Sequence, residues 1–189
     1  MNMKTFSGKF FCLADFGNSI SNVDIVDIAH HLSIENRFCG ATDRPYSVAE
    51  HCVRMARVAS KLVWSSEFVK LCLLHDCEEA YYKDLHRPAK ELQDNHKATL
   101  ARELILRKFN LWDTHQRWRL ILKDFDEVEL YVACDLHLGL EGLDHFETYS
   151  DPDHRLFPIY REFCASHRNM PEKDWTHWQA DFLEIFHNG

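Results

Sequence analysis

The spacing of apolar side chains along this chain is that of packed helices. One side of a helix at residues 23–32 collects the side chains of Val23, Ile25, Ile28, Ala29 and Leu32. Apolar runs at 67–79 and 118–143 have helical length, and a segment from about 172 to 186 carries tryptophan and phenylalanine at helical spacing. The chain has six glycines, so few hairpin turns are expected. The pattern predicts an all-α fold.

Two further signals mark helix starts. Ser47-Val48-Ala49-Glu50 is a capping box, in which the serine hydroxyl and the glutamate carboxylate bond the first free amides of a helix. This box places His51 in the first turns of a helix that runs to about residue 62 or 64. Pro88 suits a first helical turn and opens a further predicted helix through residue 109.

The stretch LCLLHDCEEAYYKDLHRPAK, residues 71–90, leads from an apolar run directly into ionisable side chains. If the helix continues through residue 79, Asp76 lies about 100° and Glu79 about 40° around it from His75. Glu78, near 300°, falls on the other side of His75 and is expected in solvent. His75, Asp76 and Glu79 therefore suggest a metal site in which Glu79 acts as a base for water.

Composition limits the class of protein. The 189 residues, 46% of them hydrophobic, suit a single domain at 1–189. A net charge of -8 argues against polymeric nucleic acid or a membrane surface as partner. The sequence shows no leader and no run of about 20 apolar residues, and its seven cysteines form no CxxC pair, so we expect a cytoplasmic protein with reduced thiols.

Two more residues have the chemistry to complete a metal site. His51 stands in an apolar helix start, and Asp135 lies inside Tyr-Val-Ala-Cys-Asp-Leu. Two imidazoles with two carboxylates suit Mn²⁺, Co²⁺, Fe²⁺, Zn²⁺ or Mg²⁺. Each residue alone has a plainer interpretation: His75-Asp76 as a buried ion pair, His51 as a core histidine, and Asp135 as a carboxylate that bonds a neighbouring helix.

Together, His51, His75-Asp76 and Asp135 resemble the H...HD...D signature of HD-domain metal-dependent phosphohydrolases. The segments DIAHHLS, NRFCG, PYSVAEH, LLHDCEEAYYKDLHRPAK and ACDLHLGLE resemble the branch that contains 5'-deoxynucleotidases and related phage and bacterial deoxynucleotide phosphohydrolases. The resemblance covers roughly residues 20–142, and residues 143–189 form a C-terminal helical extension without a match.

The resemblance implies roles for individual positions. It makes Glu79 the catalytic carboxylate, Asp84 the acid near the sugar and leaving group, and Arg37 a phosphate ligand, with Lys90 adding positive charge. The implied metal ligands are His51, His75, Asp76 and Asp135. Phe38 follows Arg37 where the deoxynucleotidases carry tryptophan beside the sugar. From the residues alone, Arg37 could instead pair with Asp43, Glu35 or Glu50, and Asp84 could cap the following turn.

The resemblance predicts a divalent-metal-dependent enzyme that uses activated water on a small-molecule 2'-deoxynucleotide. The products are deoxynucleoside and phosphate from a dNMP, or deoxynucleoside and triphosphate from a dNTP such as dATP. A homo-oligomer, dimer or larger, is also implied. The alternative is a non-catalytic sensor that binds metal and nucleotide with an HD fold. A purely structural metal site is disfavoured, because such sites prefer thiolate ligands.

Overall fold

The computed structural model describes residues 2–85, 95–138, 156, 158–160, 162, 165 and 173–189. This part of the chain is built from helices, which confirms the all-α fold. The helices with described bounds are α1 (Phe16–Ser19), α2 (Ile25–Ile34), α3 (Val48–Lys61), α4 (Ser66–Leu74), α5 (Glu79–Tyr82), α6 (His96–Lys108), α7 (Trp112–His137) and α8 (Trp175–Asn188). The predicted helix from Pro88 begins within residues 86–94, which lie outside the described part.

Helix α3 lies at the centre of the core. It packs against α2, α4, α7 and α8, and its residues 48–56 are all buried. Most of these side chains are apolar, and the buried Glu50, His51 and Arg54 among them need polar partners inside the core. The core around it contains fully buried side chains from α3 and α4, among them Met55, Phe68, Leu71, Leu73 and Leu74. Each contributes about 1.5–3 kcal/mol by burial, which stabilises the packing of α3 against α4.

At the start of α3, one of the two hydrogen bonds of the predicted capping box is present. The Ser47 hydroxyl accepts a hydrogen bond from the Glu50 amide at 3.1 Å. The Glu50 carboxylate instead accepts bonds from Arg44 at 2.7 Å and Arg54 at 2.5 Å. Since Glu50 is fully buried, its charge requires cationic partners, and these outweigh the bond back to the helix start.

A short hairpin precedes the helices. The low glycine count does not predict this hairpin. Strands β1 (Asn2–Lys4) and β2 (Phe10–Cys12) pair antiparallel, and Gly8 takes a φ of 88° in the turn between them. The amide of Ser7 donates to Asp27 of α2 at 2.7 Å. One glycine in the left-handed region is thus enough for this hairpin.

The predicted continuous helix at 67–79 is wrong, because α4 ends at Leu74. His75 donates its Nδ1 hydrogen to the carbonyl of Cys72 at 2.8 Å, the group that the amide of Asp76 would bond in a continued helix. The amides of Cys77 and Glu79 bond carbonyls only three residues back. The chain is therefore wound more tightly over 75–78, and the angles expected for a regular helix do not apply there.

The last helix, α8, covers a further side of the core. It packs against α2, α3 and α4 and buries Trp178 and Phe182. Arg57 of α3 donates to the Asp181 carboxylate at 2.7 Å, which ties the two helices together. In the described ranges, we find no helix with the length and apolar character needed to cross a membrane.

Candidate metal centre

Two histidines from consecutive helices meet inside the core. His51, from the first turn of α3, is fully buried, and His75, which directly follows α4, is 6% exposed. Their Nε2 atoms lie 3.0 Å apart. The Nδ1 atoms point away: that of His51 donates to the Glu129 carboxylate and that of His75 to the Cys72 carbonyl. Both Nε2 atoms therefore converge on one point.

Two carboxylates join the pair of imidazoles. An Asp126 oxygen lies 3.2 Å from the Nε2 of His51 and 3.8 Å from that of His75. An Asp76 oxygen lies 3.1 Å from the Nε2 of His75 and 3.8 Å from that of His51. His51, His75 and Asp126 each offer one ligand atom, and these atoms all lie within 4.8 Å of one another.

The spacing of these atoms fits a divalent cation. Ligands at about 2.1 Å from a metal lie about 3.0 Å apart in an octahedral site and about 3.4 Å apart in a tetrahedral one. The four nitrogen–carboxylate separations, 3.1–3.8 Å, and the 3.0 Å distance between the two Nε2 atoms fall close to this range. The Cys52 sulfur contacts the Nδ1 side of His75, away from this point. Nitrogen and oxygen ligands without thiolate match the metals expected from the sequence.

The charges in the cluster stabilise one another. Burial opposes the charged form of His75, but the carboxylates of Asp76 and Asp126 outweigh it and raise the pKa of His75 well above its usual value. Burial likewise opposes ionisation of the two aspartates, while the histidines lower the pKa of both carboxyls below their usual range. Two ionised carboxylates facing two imidazoles form a site that attracts a cation.

Asp126 was not anticipated from the sequence, which pointed to Asp135. The two residues are nine positions apart on α7, which is about 13.5 Å along the helix and half a turn around it. The side chain of Asp135 lies outside the described part of the structure, so its role as a ligand stays a prediction. Asp126 sits in the charged segment KDFDEVE, which suggests a solvated surface. Its neighbours Phe125 and Val128, both buried, are the signal that could have revealed it.

Arg37 lies directly beside the cluster. It is 9% exposed, and its guanidinium contacts the Asp76 carboxylate at 3.3 Å instead of Asp43, Glu35 or Glu50. Its Nε is buried without a hydrogen-bond partner among the described residues. Buried donors are nearly always bonded, so this Nε is a candidate contact for a ligand oxygen.

A strained turn holds Arg37 in place. Within the 3₁₀ turn Arg37–Gly40, Phe38 has a φ of 55° and Cys39 a φ of 50°, both in the left-handed region. The Arg37 amide bonds the Tyr46 carbonyl at 2.8 Å. The Phe38 ring lies nearly parallel to that of Tyr46 and 5.8 Å from the Arg37 guanidinium carbon. The structure thus brings Arg37 and Phe38 together at one edge of the cluster.

The acidic residues after Asp76 have separate surroundings. The expectation that Glu78 is solvated is wrong: Glu78 is 3% exposed and accepts a bond from the Nε of Arg102 at 2.8 Å. The tight turn at 75–78 directs it towards α6. Glu79, also 3% exposed, lines a cavity of about 260 Å³ with Glu78 and Arg102. Asp84 is partly buried after α5, whereas Lys90 lies outside the described residues.

Behind His51 lies a buried polar network that the sequence pattern does not predict. Glu129 is fully buried and accepts bonds from both His51 and the Tyr46 hydroxyl, the latter at 2.5 Å. Arg54 lies 3.7 Å from the same carboxylate. Burial opposes ionisation of Glu129, but His51 and Arg54 lower its pKa to about 2. Its position beside Val128 on the apolar face of α7 is the available sequence signal.

The fold and the cluster define an all-α domain with a histidine–aspartate centre for a divalent cation. An HD-domain family model matches residues 36–150, and the chain belongs to that family. HD-domain proteins are generally hydrolases. The chain is also 42% identical over 97 residues to the uncharacterized protein YfdR of Escherichia coli (strain K12). That match covers 50% of this chain and 49% of YfdR, about half the length of each.

Proposed function

We propose that this HD domain hydrolyses the phosphate ester of a 2'-deoxynucleoside 5'-monophosphate, with a divalent cation, to deoxynucleoside and phosphate. The observation that carries the proposal is the position of Arg37. A buried guanidinium with a donor left over stands next to the cation site. A phosphate group has the charge and the geometry to bind both at once.

Each residue of the site has a distinct task in this proposal. His51, His75, Asp76 and Asp126 would hold the cation, which when bound polarises a phosphoryl oxygen and makes water more acidic. Arg37 binds non-bridging phosphate oxygens. Glu79 accepts the proton of the attacking water, as a carboxylate in a buried setting can.

Two further residues act on the nucleoside side. Asp84 delivers a proton to the departing 5'-oxygen, and Phe38 packs against the sugar. Both assignments, and the preference for a deoxyribose, rest on the resemblance of the NRFCG and KDLHRP segments to deoxynucleotide phosphohydrolases. Lys90 adds positive charge for the phosphate in the same proposal.

The monophosphate is favoured over the triphosphate by the pairing of nearby cations. A triphosphate requires several cationic contacts, and Arg44 and Lys83 are the described candidates besides Arg37. Arg44 is held by the Glu50 carboxylate at 2.7 Å, and Lys83 by Glu35 at 2.6 Å. Within the described ranges, this leaves Arg37 as the cation in contact with the cluster, which matches a single phosphate group.

The test is a product assay. Purified protein is incubated with Mn²⁺, Co²⁺, Zn²⁺ or Mg²⁺ and a panel of deoxy- and ribonucleoside mono-, di- and triphosphates, and the products are resolved by chromatography. We expect free phosphate from deoxynucleoside monophosphates. Intact triphosphate released from a dNTP would instead assign a triphosphohydrolase.

Glu79→Gln is the control for chemistry. It keeps the size of the side chain but cannot accept a proton, so turnover falls at least about 100-fold while the metal still binds. A variant with near-normal rate would contradict the role of Glu79. If nucleotide binds with metal and no substrate turns over in the unmodified protein, the protein is a sensor.

A further inference from the structure

We infer that Glu129 is a positioning residue: it fixes the Nδ1–H tautomer of His51 and thereby presents the Nε2 lone pair of that histidine to the cation. The inference rests on the metal site of the proposed function. It does not depend on the nucleotide substrate, so the two can fail separately.

Two carboxylates of one helix, α7, contact opposite edges of the His51 imidazole ring. Glu129 accepts the hydrogen of Nδ1, and Asp126, three residues earlier on α7, lies 3.2 Å from Nε2. Residues three apart lie on the same face of a helix, one turn from each other. The extra methylene of glutamate lets it reach the far edge of the ring while aspartate stays at the near edge. Helix α7 thus contacts both nitrogens of His51.

Glu129 is itself held in place by donors. The Tyr46 hydroxyl bonds one oxygen at 2.5 Å, and Arg54 lies 3.7 Å from that oxygen. Arg54 is anchored in turn by Glu50 at 2.5 Å. A carboxylate surrounded by donors stays ionised and only accepts hydrogen bonds, so the hydrogen between it and His51 belongs to Nδ1.

This arrangement predicts a measurable contribution to metal binding. A neutral imidazole carries its hydrogen on either nitrogen, and only the Nδ1–H form has a free lone pair on Nε2. Acceptors that orient a ligating histidine typically contribute 10- to 100-fold to metal affinity. His75 achieves the same orientation with a backbone carbonyl, which no side-chain substitution removes.

The first measurement uses the unmodified protein. Long-range ¹H–¹⁵N NMR spectra report which imidazole nitrogen carries the hydrogen, and the His51 signals are assigned by their loss in His51→Gln. We expect the Nδ1–H tautomer in metal-free protein near pH 8 and again after Zn²⁺ is added. An Nε2–H tautomer in either state overturns the inference without any variant of Glu129.

The second measurement compares variants by calorimetric titration with Zn²⁺ or Mn²⁺. Glu129→Met has similar length but no strong acceptor, so affinity should fall 10- to 100-fold and the tautomers of His51 should mix. Glu129→Gln keeps an acceptor oxygen and should lose less. Wild-type affinity together with a pure Nδ1–H signal in the folded Glu129→Met protein overturns the inference. If that variant does not fold, the tautomer of the unmodified protein decides.

Glu50→Gln is the matched control. Glu50 is as buried as Glu129 and belongs to the same network around Arg54, but its carboxylate bonds Arg44 and Arg54 and not His51. It should lower stability yet keep the His51 tautomer and a metal affinity within about threefold of wild type. An equal loss of affinity in Glu50→Gln and Glu129→Met would assign both residues a merely structural role and overturn the inference.

Discussion

The Nε2 atoms of His51 and His75 lie 3.0 Å apart, because hydrogen bonds from the Nδ1 atoms to Glu129 and to the Cys72 carbonyl turn both Nε2 atoms towards the same point. The raised pKa of His75 lets its Nε2 hold a proton in the metal-free protein, and a divalent cation would replace that proton and interact more strongly with the two carboxylates. The core around them, however, is built from apolar contacts that need no metal. The metal-free protein should therefore be folded but less stable.

We expect a divalent cation to raise the unfolding temperature of this protein. Binding to the folded state alone adds about 2.7 kcal/mol at a metal concentration 100 times the Kd. Scanning calorimetry with Mn²⁺ or Zn²⁺ and with a chelator measures the shift. The same scans on His75→Ala should show almost none. Loss of the helical circular dichroism signal on chelation would point to a structural metal instead.

The choice between Asp126 and Asp135 can be decided by a pair of asparagine variants. The geometry predicts that Asp126→Asn loses a charged ligand and at least about tenfold in metal affinity, measured by calorimetric titration. Asp135→Asn, half a turn away on the same helix, should bind metal nearly as well as wild type. The reverse result would show that the ligand set follows the sequence signature.

Replacement of Arg37 by lysine tests the phosphate contact. Lysine keeps the charge but loses the planar fork that bonds two oxygens, and a hydrogen bond to a charged group contributes about 1.5–3 kcal/mol. We expect kcat/KM for a monophosphate to fall about 10- to 100-fold in steady-state assays. Arg107→Ala removes an arginine that pairs with Glu103 on the surface, and this variant should have an unchanged kcat/KM. A normal kcat/KM in Arg37→Lys would remove Arg37 from the phosphate site.

The contact between Arg57 and Asp181 should stabilise the fold without affecting metal binding. Asp181 is 8% exposed, so Asp181→Ala leaves Arg57 without its partner in a largely buried place and should cost about 1–3 kcal/mol in urea unfolding. Glu103→Ala removes an exposed i,i+4 pair with Arg107 and should cost about 0.3–0.5 kcal/mol. Equal costs for the two variants would contradict the proposed tie between α3 and α8.

The helical architecture was predictable because it depends on local signals. The serine before α3 and the apolar spacing of α2 specify those helices by themselves. The end of α4 was not predictable, because it depends on a side-chain bond from His75 to the Cys72 carbonyl that competes with the helical bond. The burial of Glu78 was not predictable either, because its partner Arg102 comes from a helix that the local pattern does not place beside it.

The metal centre was predictable only in part. His51 and His75 stand next to recognisable motifs, and the structure brings them together. The third helix to contribute is long and rich in charge, so the sequence does not reveal which of its carboxylates face inward. Asp126 and Glu129 face inward because Phe125, Val128 and the other buried apolar residues of α7 set the rotation of that helix against the core.

The left-handed pair Phe38 and Cys39 implies a conflict between stability and activity in this domain. Each side chain has a Cβ that crowds the backbone in that conformation, at a cost of about 1–2 kcal/mol per residue. Glycine at either position would relieve the crowding, so directed evolution for heat resistance alone should recover such substitutions readily. Those variants should also loosen the neighbouring arginine, and screens for thermal tolerance should select against catalytic efficiency at this turn.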